Sequence, residues 1–392
     1  MNKYTTAAIL AACLVGPAWA VYAPVPEEEL GQKLTAKLTA GIFHDSNIFG
    51  ASTGAIDSMV YRLSPSFALN TSLTDQTFFS ASYALTYDYV EDRPSNTDLI
   101  SHAVSARLAH SFSQRSNIDI TETFSIVESP ESLLAGIPLN ADQSFKSNQF
   151  DGRYVTGLTE QLSLTLKGRS VILRYDTPAL ASALDRNEVL LGAVVDLEVS
   201  PITKIAGEYR FQDVSYETAG NLKDKQSNFL LGGFDMTPSQ QSTFSLRGGM
   251  EFRSRDGAPD TDSPYVEVTG RYAYSEKSYL SGGYILTFEE VSNIARYTDI
   301  QVNRLFLNVE HALTAKLTGS MMYTVEPSEL KARPGTGPNA EETTQRLGLA
   351  LTFRPNRQTT IAAQFDVDNT ASDDPARDLQ RTRIGIDIRY TF

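Results

Sequence analysis

The chain has 392 residues, 41% of them hydrophobic, and a formal net charge of −13. That acidic balance argues against a nucleic-acid partner, whose phosphates demand a basic surface. After residue 20 no stretch is apolar for the roughly 18 residues a membrane helix needs, which excludes a helical membrane protein.

The N-terminus reads as an address. Met1-Asn2-Lys3 is a short basic start, Thr5 to Pro17 is small and apolar, and Ala18-Trp19-Ala20 fits an A-x-A cleavage site. Residues 1–20 are therefore expected to be a secretory signal peptide. Leu10-Ala11-Ala12-Cys13 also resembles a lipobox, which keeps a lipid anchor open as an alternative. Cys13 is the single cysteine, so no disulfide framework or thiolate metal site is expected downstream. Residues 21–31, rich in Pro and Glu, are expected to form a periplasmic lead-in, and 32–392 the folded body.

From residue 34 onward the chain alternates. Leu34, Ala36, Leu38, Ala40 and Ile42 are separated by mostly polar residues. The same two-residue rhythm runs through Phe79–Tyr89, Val189–Val199, Phe244–Phe252 and Ile384–Phe392. Neighbouring strand residues point to opposite faces, so this pattern predicts strands with one apolar and one polar face. Short polar turns fall near 73–76, 113–116, 159–161, 200–203, 238–241, 275–277, 314–316 and 354–357. Longer Gly-, Pro-, Asp- and Asn-rich connections fall near 44–57, 91–98, 129–147, 176–187, 217–226, 256–262, 290–298, 327–341 and 369–379. Nine long loops alternating with eight short turns make about eighteen antiparallel strands. The expected fold is all-β: a transmembrane up-and-down β-barrel with short periplasmic turns and longer extracellular loops in a Gram-negative outer membrane. A soluble β-sandwich alternates too, but rarely strings together so many hairpins.

If the apolar positions face lipid, their neighbours face a lumen. The charged candidates for a pore lining are Arg107, Arg153, Arg169, Arg210, Arg247, Arg271, Arg304, Glu208, Glu251 and Glu267. A charge on the lipid side would cost about 2–4 kcal/mol at midplane, which favours this phase. Two readings stay open: a salt-bridge lattice between strands, or a guanidinium ladder guiding an anionic solute. Interleaved carboxylates weaken any net anion field. The loops 129–147 and 327–341 are the candidates for folding inward; the first carries an apolar patch of Leu133, Leu134, Ile137, Pro138 and Leu139.

No enzyme is expected. His102 and His110 lie beside Ser101 and Ser111 on one strand, and adjacent strand residues point to opposite faces. His44 is assigned to the first loop and His311 to a position near a short turn. No zincin, Walker, nucleophile-elbow or dinucleotide motif occurs. The segment 366–374 (DVDNTASDD) lacks the Gly and terminal Glu of a calcium loop and reads as a solvated connection. No cofactor and no metal is expected.

His44-Asp45-Ser46-Asn47-Ile48-Phe49, the Pro-containing strand YRLSPSFALN (61–70), and turns such as Ser200-Pro201-Ile202-Thr203 and Arg354-Pro355-Asn356-Arg357 resemble the β-barrel porin 2 family. The resemblance spans nearly all of the mature chain on short motifs. It implies an outer-membrane barrel of a sort associated with exopolysaccharide production, with no catalytic residues to carry over. Asp45 and Asn47 are the family-matched positions, and either residue type caps a turn through its own backbone. The terminal strand ending in Tyr390 and Phe392 resembles the signal read by the barrel assembly machinery. The expected function is a channel for hydrophilic solutes or an exported polysaccharide, with a non-conducting structural or surface-interaction barrel as the alternative. Its expected surroundings are outer-membrane lipids.

Overall fold

The computed structural model describes residues 33–130, 142–218, 223–291 and 296–392. The expected signal peptide, the lead-in and the apolar patch of 133–139 lie outside them. Eighteen strands are present. They are β1 (Leu34–Asp45), β2 (Ser58–Thr74), β3 (Thr77–Val90), β4 (Asp98–Ser113), β5 (Ser116–Val127) and β6 (Phe145–Gly157). Next come β7 (Leu162–Tyr175), β8 (Arg186–Ser200), β9 (Thr203–Tyr216), β10 (Lys225–Ser239), β11 (Ser242–Arg255) and β12 (Thr261–Ser275). The last are β13 (Ser278–Glu289), β14 (Tyr297–Ala312), β15 (Leu317–Ala332), β16 (Ala340–Phe353), β17 (Thr359–Ser372) and β18 (Leu379–Thr391). A short helix, α1 (Pro178–Leu184), precedes β8, and a 3-10 turn (Pro375–Arg377) precedes β18.

Each strand pairs antiparallel with its sequence neighbours, and β1 pairs with β18, closing the sheet. Short turns and long connections alternate, so each kind occupies its own rim. Several long connections are shorter than their composition suggests. His44 and Asp45 belong to β1, β15 continues to Ala332, and β17 continues to Ser372. Asp366 and Asp368 are thus strand residues, facing Arg383 and Arg346 at 3.7 Å, rather than part of a solvated loop. Polar composition misleads there because one strand face is polar for its whole length.

The outward face keeps large apolar side chains in the open: Leu63, Leu166, Leu191, Leu230, Leu305 and Ile384 are all at least 45% exposed. Partway along this face runs a repeated polar contact, with Leu63, Ile172, Val189 and Phe252 still exposed on its long-loop side. Tyr83, Tyr209, Tyr284 and Tyr323 each stand six positions after the first residue of their strand. Their hydroxyls meet His102 (3.0 Å), Asn228 (2.7 Å), Asn303 (2.9 Å) and Gln345 (3.5 Å) on the following strand. His110 contacts Thr77 (2.8 Å) and His311 contacts Tyr274 (3.0 Å), so these histidines also serve the outer surface.

The seam between β1 and β18 is pinned at the loop end by Asp45, 2% exposed, and Arg381, 4% exposed, which bond through paired contacts including one of 3.0 Å. Asn47 donates to the Gln380 carbonyl (3.1 Å) and to that of Ala51 (2.8 Å), and its own N–H donates to Asp45 (3.0 Å). Ser46 donates its N–H to the Thr382 carbonyl, prolonging the ladder. Asp45 and Asn47 are therefore seam residues. Gly385 lies opposite Phe43 across this seam, where a Cβ would come within 2.4 Å of the Phe43 Cβ.

Removing one partner of a buried ion pair leaves a stranded charge and costs about 3–5 kcal/mol. Asp45→Ala is expected to lower the temperature at which the folded band unfolds in detergent gel electrophoresis, and an unchanged midpoint contradicts the pin. Gly385→Val is expected to abolish the compact, heat-modifiable band, since neither Phe43 nor the β1 backbone can retreat without breaking the ladder.

Candidate channel lumen

Alternation places the ten charged candidates on the face opposite the exposed apolar one, with most in ion pairs. Arg107 holds Asp119 (Nε at 2.9 Å) and Arg169 holds Asp151 (2.6 Å), each across one strand boundary. Arg210 binds Glu208 two residues away (2.6 Å) and approaches Glu267 (3.7 Å). Arg247 joins Asp235 (2.7 Å) to Glu208 (3.7 Å). Glu251 binds Arg253 (2.8 Å) and accepts from Ser227 (2.7 Å). Arg304 faces two carboxylates, Glu289 (3.0 Å) and Glu326 (2.9 Å). Arg271 instead covers the Tyr279 ring at 4.4 Å, and Arg153 is exposed with no carboxylate within ion-pair distance among the described residues. The arrangement is mainly a cross-strand lattice.

The long-loop mouth is narrowed from several sides. Phe43 of β1 and Ile48 just beyond it pack on the inward-facing Val60, Val90 and Leu99. Phe49 lies under the Arg93 guanidinium (4.9 Å), and Arg93 reaches Asp142 (3.0 Å). Gln143 donates to the Phe49 carbonyl at 3.2 Å, so the described ends of the β5–β6 connection fold inward. On another side, α1 buries Leu180 and Leu184. Its unpaired C-terminal carbonyls accept from Lys223 Nζ at 3.0 and 2.9 Å, as a helix C-terminus favours a cation. Burial holds the Lys223 ammonium below its ordinary pKa. On a third side Val291, Tyr297, Leu330 and Ala340 form an apolar cluster, and Tyr297 donates to Asp374 (3.2 Å).

A charge node ties these parts together. Glu290, just beyond β13, accepts from Lys225 and the Tyr216 hydroxyl and meets Arg255 at 3.3 Å. Arg255 also binds Asp299 (2.8 Å), which meets Arg253 (3.3 Å). Glu290 thus leaves one wall and docks on β9, β10 and β11, skipping β12. Burial alone would raise its pKa, but Lys225, Arg255 and the Tyr216 hydroxyl outweigh that and hold it well below the usual carboxylate range. The β13–β14 connection was not among the loops expected to fold inward. A single Glu in a polar loop carries no sequence sign of direction, and its partners are far away along the chain. The 327–341 candidate is mostly strand: its connection is only residues 333–339.

The fold and its polar interior define a class: a closed eighteen-stranded antiparallel up-and-down barrel. No family model matches the chain, and no curated protein matches it by sequence. Solved structures do match. The chain is similar to OpdK of Pseudomonas aeruginosa, solved with vanillate, at 12% identity over 92% of this chain and 99% of that one, with a TM-score of 0.50. OccAB3 of Acinetobacter baumannii matches at 12% identity over 92% and 99%, with a TM-score of 0.48. At 12% identity the likeness to OpdK is one of fold.

A carboxylate with a depressed folded pKa adds stability that is complete above its usual titration range and is lost as pH falls through the lowered value. Glu290→Gln is therefore expected to destabilise the barrel at neutral pH by about 3–5 kcal/mol, from the stranded Lys225 and Arg255. The gap between wild type and variant should close only in strongly acid solution. Thermal unfolding followed across pH checks this; a gap that closes already near pH 5 contradicts the node.

Proposed function

We propose that the chain is a porin-like channel of a Gram-negative outer membrane, passing hydrophilic solutes through the barrel. The observation that carries this is one closed cylinder whose outward face exposes Leu, Ile, Val and Phe while its inward face holds ion pairs and hydroxyls. Exposed apolar side chains in such numbers are stable against hydrocarbon and not against water. A barrel of sixteen to eighteen strands leaves an aqueous interior.

In this reading short turns face the periplasm, and the signal peptide directs export. Tyr390 and Phe392, whose rings meet edge-to-face at 5.0 Å, are exposed on the outer surface for the assembly machinery. An exported polysaccharide stays within the proposed solute class on the short motifs of the sequence alone, since no family model matches the chain. Reconstitution in a planar bilayer tests the reading. Steady single-channel steps in potassium chloride are the expected result; a folded, inserted protein that carries no current selects the non-conducting structural barrel.

A further inference from the structure

The inner wall is not uniform. On β2 from Arg62 to Thr74, on β3 over 77–87, on β4 over 100–113 and on β5 over 116–124, no residue is buried, and the same holds on the flanking strands over 36–44 of β1, 148–157 of β6 and 382–391 of β18, so β2–β5 is the middle of a wider open arc. At comparable height on β8–β12 several inward side chains are closed off. Val194, Ala206, Glu208, Arg210, Leu231 and Tyr265 are each at most 4% exposed. Side chains packed to interior density leave no room for water between them. Long Arg and Tyr side chains fill the barrel from one side, whereas Ser, Thr and Ala leave the other side free.

The chemistry of the free side is equally uneven. The charged side chains on the inner face of β2–β5 are Arg62, Asp88, Arg107 and Asp119. They cancel in two pairs, with guanidinium Nε atoms at 2.7 and 2.9 Å from their carboxylates. Between them the wall carries hydroxyls. Ser64 and Thr86 bond each other at 3.1 Å. Ser66, Ser82 and Ser105 make no side-chain hydrogen bond among the described residues. A hydroxyl both donates and accepts, so such a wall offers unused capacity of both kinds with no net field.

We infer that the water-filled lane runs off the barrel axis, along the β2–β5 wall, and that this wall binds uncharged, hydroxyl-rich solutes. Within β2–β5 an ion finds no charge that is not already paired, the exposed Arg153 bordering this wall on β6 opposite Asp119, whereas a polyol exchanges its water hydrogen bonds for protein ones at little cost. This rests on the channel reading above and goes beyond it in naming where the solute travels and of what chemistry it is.

With Cys13 replaced by Ser the chain has no cysteine, which allows a direct test. Single cysteines at Ser66, Ser82 or Ser105, and as controls at Ala206 or Leu231, are treated with a cationic methanethiosulfonate during bilayer recording. The lane cysteines are expected to give a stepwise fall in single-channel current, and the controls none. Added maltohexaose is expected to interrupt the current, and a hexagalacturonate of the same length to do so much less. The triple variant Ser66→Val, Ser82→Val, Ser105→Val, checked for folding by its heat-modifiable band, is expected to weaken the maltohexaose interruption about tenfold. Conducting channels whose lane cysteines are silent, or whose controls respond equally, overturn the lane. Stronger block by hexagalacturonate, or an unchanged maltohexaose affinity in the triple variant, overturns the solute class. A wild type without current overturns the channel reading itself, and the lane falls with it.

Discussion

An open sheet edge is the problem this structure is built to remove. An unpaired strand presents a row of N–H and C=O groups, and in an apolar surrounding each unsatisfied group costs several kcal/mol. Eighteen strands escape that cost only if the first meets the last. The β1–β18 ladder runs from Lys37–Thr391 to Asp45–Arg383, and there the chain invests an ion pair, the Asn47 side chain and a glycine. The Asp45-Ser46-Asn47 segment looks like a turn signal in isolation. Its partners are Arg381, Gln380 and Thr382, more than three hundred residues away.

Closure in turn creates an interior that must be either filled or left wet, and the chain does both. Across β8–β12 it interlocks Arg, Glu, Tyr and Leu until little surface remains. Across β2–β5 it uses small hydroxylated residues and two neutralised pairs. Buried ion pairs are weak contributors to net stability but hold groups in one geometry. That suits a wall which must keep long side chains out of a lane on the other side.

The mouth follows the same logic. The described residues of the loops after β1, β5, β7 and β13 turn toward the interior because they carry apolar residues or charges with partners inside. Glu290 is the clearest case: its carboxylate is held by groups from three strands on a neighbouring wall. Packing of this kind narrows the barrel at the long-loop rim, while the sector below it on β2–β5 stays open.

The strand count and the alternation of short and long connections were both legible in the amino-acid order. Each rests on a period of two between neighbouring residues and on local turn chemistry, and neither needs a distant partner. The ends of β1, β15 and β17 were misread, since a polar strand face resembles a loop in composition. Which carboxylate each arginine holds, that Asp45 and Asn47 close the seam, that Glu290 crosses the mouth, and which wall is packed were decided only in three dimensions. Those contacts join residues tens to hundreds of positions apart. No local pattern encodes which distant side chains a closed cylinder brings face to face.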